Sequence, residues 1–325
     1  MVTGANGFVG RRMCPALLAQ GHVVRRGLRA APAASASLAP GEQAVVVGDI
    51  GPETDWRAAL DGVERVLHLA GRAHVMRDTA ADPAEAFHRV NTLGTQRLMQ
   101  AAGEAGVRRL VFVSTIHVNG QTSGEQPFRE ADAPHPVGPY AQSKWEAEQI
   151  VRDAGARHGL ETVVVRPPLV YGPGVKGNFL RLLSWVARGV PLPLAALAGR
   201  RSLVALDNLV DLLACCLSHP AAAGELFLAA DGEDLTTPEL IRRIAACMGQ
   251  SPRLFPFPPA GLALAARLAG ATGAWQRLSQ PLQVSAAHNR ARLQRREPLS
   301  VDEGLLQTVC WFQAHRAAET DGGAS

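Results

Sequence analysis

Lysine is almost absent from this 325-residue chain. Of its 33 basic residues only Lys144 and Lys176 are lysines, and tyrosine is as scarce, at Tyr140 and Tyr171. Paired cysteines are also missing. Cys14, Cys215, Cys216, Cys247 and Cys310 are odd in number and follow no metal or redox spacing, which excludes a disulfide framework and gives no metal site. They read as small buried side chains in a reducing cytoplasm. No stretch has the form of a signal peptide, and no apolar run approaches the ~18 residues of a spanning helix, so no integral membrane segment is expected. The longest candidate, "AGLALAARLAGATGAW", is interrupted by Arg267. It reads as a core helix, with an amphipathic helix resting on a membrane surface as the alternative. The formal charge is only +4, and the arginine clusters "VVRRGLRA" and "RARLQRRE" carry no interleaved aromatics. That excludes nucleic acid and leaves a small anion as the expected partner.

What the chain does have is 47% apolar residues, enough for an extensive core. Short β-branched runs, "HVV", "AVVV", "RVLHLA", "RLVFVST" and "ETVVVRP", alternate with helix-like stretches. This rhythm predicts an α/β fold, a Rossmann-type doubly wound parallel sheet covered on both faces. After "RPPLVYGPG" proline and glycine rise and helical pieces dominate, which predicts a smaller C-terminal substrate-binding lobe. The division expected is 1–170 for the dinucleotide-binding domain and 171–325 for the lobe, with a segment near 200–216 returning to the first domain. "RAAPAASASLAPGEQ" reads as a loose surface loop and "AAETDGGAS" as a frayed tail.

Two local patterns carry chemistry. In "TGANGFVG", Gly4, Gly7 and Gly10 give a tight turn, close approach of backbone to pyrophosphate, and packing of helix on strand. The helix beginning near Phe8 offers its unpaired N–H groups and positive dipole end to phosphate. Only Met1, Val2 and Thr3 precede this turn, so the first strand, mid-sheet in such folds, has about 10 Å of length. A naturally short strand and a start assigned too late both fit. The second pattern is Tyr140-Ala-Gln-Ser-Lys144, where i and i+4 share a helix face. An ammonium beside the phenol favours its ionised form, bringing a group that titrates near ~10 within reach of acid/base work. In a chain this rich in arginine, a lysine at that spacing points to a need for a compact ammonium.

Together these residues resemble the extended short-chain dehydrogenase/reductase superfamily, in its NAD(P)-dependent nucleotide-sugar epimerase/dehydratase branch near the UDP-glucose 4-epimerase-like enzymes. The resemblance covers nearly the whole chain. It implies cofactor contacts at Gly4, Gly7, Phe8, Val9 and Gly10, adenine-side contacts at Asp49 and Ile50, and contacts at Leu69, Ala70 and Gly71 in "HLAG". Asn91 in "VNTLGT" and Pro167 in "RPPLVYGPG" complete the cofactor set with Tyr140 and Lys144. Thr115 in "VSTIHVNG", Tyr140 and Lys144 are implied to be catalytic. Thr115, Asn178, Arg201 and Arg277 are implied to hold the UDP-sugar. The sequence departs from the family at Asn208, where relatives carry Asp, and at "LQRREP", where they carry Leu-Gly-Trp.

The activity implied is epimerisation by hydride transfer at the 4-position of a UDP-hexose or UDP-N-acetylhexosamine. The alternatives are an NADPH-dependent 4-keto reductase of a UDP-6-deoxy-N-acetylhexosamine and, in another class, a catalytically silent NAD(P)-binding module. Enzymes selective for NAD place an acid about 20 residues beyond the glycine turn. Here Arg29 stands 19 beyond Gly10, with Arg25 and Arg26 close by, so a 2′-phosphate is accommodated and the cofactor expectation leans to NADP(H). A cytoplasmic homodimer joined through paired helices completes the expectations that the resemblance implies.

Overall fold

The computed structural model of the chain describes residues 1–31, 37–73 and 82–321. The first half alternates strand and helix: β1 (Val2–Thr3), α1 (Phe8–Ala19), β2 (Val24–Leu28), β3 (Glu42–Val46), α2 (Arg57–Leu60) and β4 (Arg65–His68). α3 (Pro83–Phe87) then runs through a π-helical stretch, His88–Leu93, into α4 (Gly94–Glu104). β5 (Arg109–Val113), α5 (Pro139–His158) and β6 (Glu161–Arg166) follow. Beyond them come β7 (Leu169–Tyr171), α6 (Gly177–Ala187), β8 (Arg200–Arg201), β9 (Leu203–Ala205), α7 (Leu206–Ser218), β10 (Leu226–Leu228) and β11 (Leu235–Thr236). The chain closes with helices α8 (Thr237–Cys247), α9 (Pro259–Leu268), α10 (Thr272–Ser279), α11 (Ala287–Leu293) and α12 (Val301–Asp321).

Seven strands form one sheet in the order β10-β6-β5-β4-β1-β2-β3, every neighbouring pair parallel. The two residues of β1 lie mid-sheet, pairing with β2 on one side and β4 on the other. Parallel strands must be covered on both faces, and they are. Met13 and Leu17 of α1 pack with Leu209 and Leu213 of α7 on one face, while Leu98 and Met99 of α4 pack with Ala147 and Val151 of α5 on the other. This is the doubly wound Rossmann-type architecture. Ligands of such sheets bind at the carboxyl ends of the strands, where the order reverses. A further core joins Phe179 and Leu183 of α6 to Ile241 and Ile244 of α8 and to Leu305 and Val309 of α12.

Two expectations are corrected here. "AGLALAARLAGATGAW" does not form a core helix: it makes α9 and the start of α10, neither of which has a buried residue. None of the hydrophobic cores includes a residue of either helix. The frayed tail is helical as far as Asp321, because α12 continues that far, and residues 322–325 lie outside the described residues. Of the loop read at 29–43, residues 32–36 also lie outside them, and Glu42 and Gln43 already belong to β3. Among the described residues no helix is long and apolar enough to cross a membrane, and no His, Cys, Asp and Glu group is placed to hold a metal.

Candidate active site

The glycine turn links the carboxyl end of β1 to the start of α1. Gly4 takes φ +65°, in the left-handed region, and a Cβ there would sit 2.8 Å from the Ala70 nitrogen, in the loop after β4. At Gly10 a Cβ would meet the Gly4 carbonyl at 2.3 Å, so α1 packs onto the turn only with glycine at that position. The Gly7 N–H donates to the Gly4 carbonyl at 2.9 Å, and no side chain caps the helix N-terminus that Phe8 and Val9 begin. The free N–H groups of this end are suited to phosphate.

α5 starts at Pro139 after Gly138, whose φ is 86°, and stops at Gly159 in a left-handed cap. Its polar stripe Tyr140, Lys144, Glu148 repeats every four residues and faces inward. The Thr115 hydroxyl lies beside the Tyr140 phenol. Burial pushes the Tyr140 phenol up to about 12, and the Thr115 hydroxyl works in the opposite direction. Burial dominates, so the phenol is neutral here. Lys144 is itself buried, which lowers its ammonium to about 8 against the pull of Glu148. Its Nζ lies 4.2 Å from the Phe112 ring centroid and has no hydrogen-bond acceptor among the described residues. A Cβ on Gly71 would lie 3.7 Å from that Nζ, so the glycine keeps the space before the ammonium open.

Asn91 ties the pieces together from inside the π-helical stretch. Its Oδ1 accepts from the Arg72 N–H at 2.8 Å, while its Nδ2 donates to the Arg72 carbonyl at 3.1 Å and to Ser143 Oγ at 3.0 Å. Ser143 Oγ donates in turn to the Tyr140 carbonyl at 2.9 Å. A second buried chain runs from Thr3 through His68, 2.7 Å from the Thr3 hydroxyl and 3.2 Å from that of Thr95, to the Asn91 carbonyl. Burial lowers His68 to about 3, so it is neutral here. Beneath Thr115 the Ser114 hydroxyl donates to Glu148, which is fully buried and paired with Arg166. Arg166 also donates to Asn119 Oδ1 at 2.8 Å. The sequence reading missed Ser143, His68, Glu148 and Arg166. Only Glu148 left a signal, standing four residues beyond Lys144.

The remaining expected residues divide into three groups. Leu69, Ala70 and Gly71 line the loop against the glycine turn, and the buried Pro167 accepts from the Ile116 N–H at 3.0 Å, bracing the segment that carries Thr115. Arg29 and Asp49 meet at 2.8 Å as an exposed ion pair just beyond β2 and β3, and Ile50 borders a shallow pocket with Thr54 and Arg89. Farther off, Arg201 is half-buried, donates to the Gln280 carbonyl at 2.9 Å, and is lowered by burial and by Arg277 beside it. Asn178 and Arg277 are exposed, on α6 and α10. Asn208 is buried and donates to Asp231 Oδ1 at 2.7 Å and to the Leu299 carbonyl at 2.9 Å. An Asp there would face the Asp231 carboxylate, so the amide suits this chain.

An uncapped helix N-terminus behind a glycine turn, and a buried ammonium with no acceptor facing an open glycine, are the features a dinucleotide would satisfy. The residues present fit that group.

Comparisons with known proteins agree with this geometry. Residues 1–230 match the model of the NAD dependent epimerase/dehydratase family. The chain is 37% identical to the UDP-glucose 4-epimerase of Vibrio cholerae, across 96% of this chain and 94% of that protein. It is 26% identical to the N-acetyl-alpha-D-glucosaminyl-diphospho-ditrans,octacis-undecaprenol 4-epimerase of Escherichia coli O157:H7, across 75% and 70%. Among solved structures, the DesIV double mutant (dTDP-glucose 4,6-dehydratase) of Streptomyces venezuelae with NAD and DAU bound superposes with TM-score 0.76 at 27% identity, covering 98% of this chain and 97% of that one.

Proposed function

The chain belongs to the NAD dependent epimerase/dehydratase family and is an NAD-dependent enzyme, and on that premise we propose that it interconverts 4-epimers of a UDP-hexose or UDP-N-acetylhexosamine. The observation that carries this reading is the Thr115–Tyr140 hydroxyl pair, with the buried Lys144 ammonium one turn along the same helix. Full-length similarity to a UDP-glucose 4-epimerase supports the substrate class.

We assign the dinucleotide pyrophosphate to the turn of Gly4, Gly7, Phe8, Val9 and Gly10, and the adenine side to Asp49 and Ile50. Leu69, Ala70, Gly71, Asn91 and Pro167 would flank it, and Lys144 would hold the ribose hydroxyls. Bound there, NAD supplies the hydride acceptor and donor for the sugar carbon. Tyr140 takes the proton from the 4-hydroxyl and later returns it, while Thr115 hydrogen-bonds the same oxygen. The phenol starts neutral, so Lys144 must offset the charge as the proton leaves. Arg201 and Arg277, with Asn178, would hold the diphosphate and sugar, since a guanidinium binds two phosphate oxygens at once. The lobe assigned to the sugar is 171–325, less α7 and β10, which pack on or join the main sheet.

Purified protein incubated with UDP-glucose or UDP-N-acetylglucosamine, without added reductant, should yield the 4-epimer. No epimer, with NADPH consumed only by a 4-keto sugar, would favour the reductase reading. That reading rests on Arg29, which lies just beyond β2 where a 2′-phosphate is recognised. Its guanidinium already engages Asp49. Titration with NAD and NADP decides the matter: tighter NADP binding that Arg29→Ala abolishes would support it, and NAD preference surviving that change would remove it. Protein that binds nucleotide yet turns over neither kind of sugar would point instead to a silent module. A homodimer is the assembly expected from the family resemblance, checked by light scattering.

A further inference from the structure

We propose that the α9–α10 hairpin docks on the surface of an anionic lipid bilayer. On α9, Leu264 is 59% and Leu268 81% exposed, and a spacing of four puts both on one face. Phe255 and Phe257 just before the helix and Leu278 on α10 extend the same exposed apolar character. Elsewhere in this lobe the exposed large apolar side chains, Trp185 on α6 and Leu306 on α12, stand singly, whereas here five fall within 24 residues.

Charge specifies the occupant. From Leu240 to Arg296 there is no Asp or Glu, whereas nine arginines fall in that stretch. Several of these are matched by carboxylates from outside it: Arg243 by Glu233, Arg290 by Glu297, Arg292 by Glu225, Arg295 by Asp211. Arg253 and Arg267, beside and in the hairpin, form no ion pair among the described residues. Apolar side chains mixed with unmatched arginines suit a headgroup boundary, where acyl chains receive the leucines and phenylalanines and lipid phosphates the guanidiniums. A second copy of the chain is a poorer fit, because a twofold contact of this face with itself sets Arg267 against like charge. With ten residues, α9 is about 15 Å long, half of the hydrocarbon core, so it lies on the bilayer rather than crossing it. The hairpin ends against the candidate sugar-diphosphate residues, since Arg201 bonds to the carbonyl of Gln280, directly after α10.

Flotation of the full purified chain with vesicles tests this, using phosphatidylcholine alone and phosphatidylcholine mixed with phosphatidylglycerol. The protein should float with the mixed vesicles and not with the neutral ones, and added salt should weaken binding. Leu264→Glu with Leu268→Glu should lower partitioning roughly tenfold or more, and Arg267→Gln alone roughly fivefold. Near-ultraviolet circular dichroism establishes that each variant is folded, and Arg267→Gln carries the test if the double variant is not. The proposal is overturned if the wild type stays with the soluble fraction, or if both variants float as well as it does. It is also overturned if the double variant splits a larger wild-type assembly into a smaller one, which would show that a second copy covers this face. None of these readouts depends on epimerase activity, so failure here leaves the proposed reaction untouched.

Discussion

Helices α5 and α9 invert the ordinary link between polarity and burial. α5 carries Tyr140, Ser143, Lys144 and Glu148 on its inner stripe, and three of these are buried; seven of the ten residues of α9 are alanine or leucine, yet no residue of it is buried. The difference lies in partners. Three of these polar groups meet a complementary one from another element: Glu148 meets Arg166 and Ser114, Ser143 meets Asn91, and Tyr140 meets Thr115, while the Lys144 ammonium lies over the Phe112 ring. Buried polar groups are tolerated on those terms. α9 packs chiefly on α10, and none of its residues joins a hydrophobic core.

The sharpest way to break this comparison is to remove a partner inside α5. Glu148→Ala leaves the Arg166 guanidinium enclosed without its carboxylate and should cost about 3–5 kcal/mol in urea unfolding. A loss under about 1 kcal/mol would mean that the stripe contributes little to the core. Next comes Tyr140→Phe, which removes one hydroxyl and should lower turnover on the order of 10²-fold or more, with melting temperature and bound nucleotide retained. Near-normal turnover would remove Tyr140 from the chemistry.

A pH series sharpens the same point through His68. Its folded value of about 3 lies below the ordinary 6.5. The unfolded chain therefore binds more protons between those values, and the stability that neutral burial contributes is present above pH 6.5 and lost as pH falls toward 3. Thermal midpoints should drop across that window, and His68→Gln should flatten the drop. An unchanged slope in the variant would assign the loss to other groups. The smallest effect belongs to α9, where Leu264→Glu with Leu268→Glu should change unfolding free energy by no more than about 0.5 kcal/mol for each exposed site. A large loss would show that the face is covered after all.

How far the sequence could be read follows from the same contrast. The glycine turn and the Tyr140–Lys144 pair were legible because both work at fixed spacings within a single turn or helix. The parallel sheet was legible from its alternating β-branched runs. Glu148, Ser143 and His68 were not, since their partners Arg166, Asn91 and Thr95 lie 18, 52 and 27 positions away and only folding joins them. The enclosure of the Tyr140 phenol was not legible either, because spacing brings an ammonium close but says nothing about how deeply the phenol is buried. α9 was misread as core because composition records how apolar a helix is, whereas burial depends on whether a neighbouring surface remains uncovered.

The central claim is that hydride leaves and returns to the same sugar carbon beside Tyr140. The most direct measurement uses UDP-glucose carrying deuterium at C4, incubated with the purified enzyme in ordinary water, with the product examined by mass spectrometry. The account predicts a 4-epimer that keeps its deuterium, with the label lost from neither substrate nor product. Epimer that has exchanged deuterium for solvent hydrogen, or the absence of any epimer from enzyme with nucleotide bound, would contradict it.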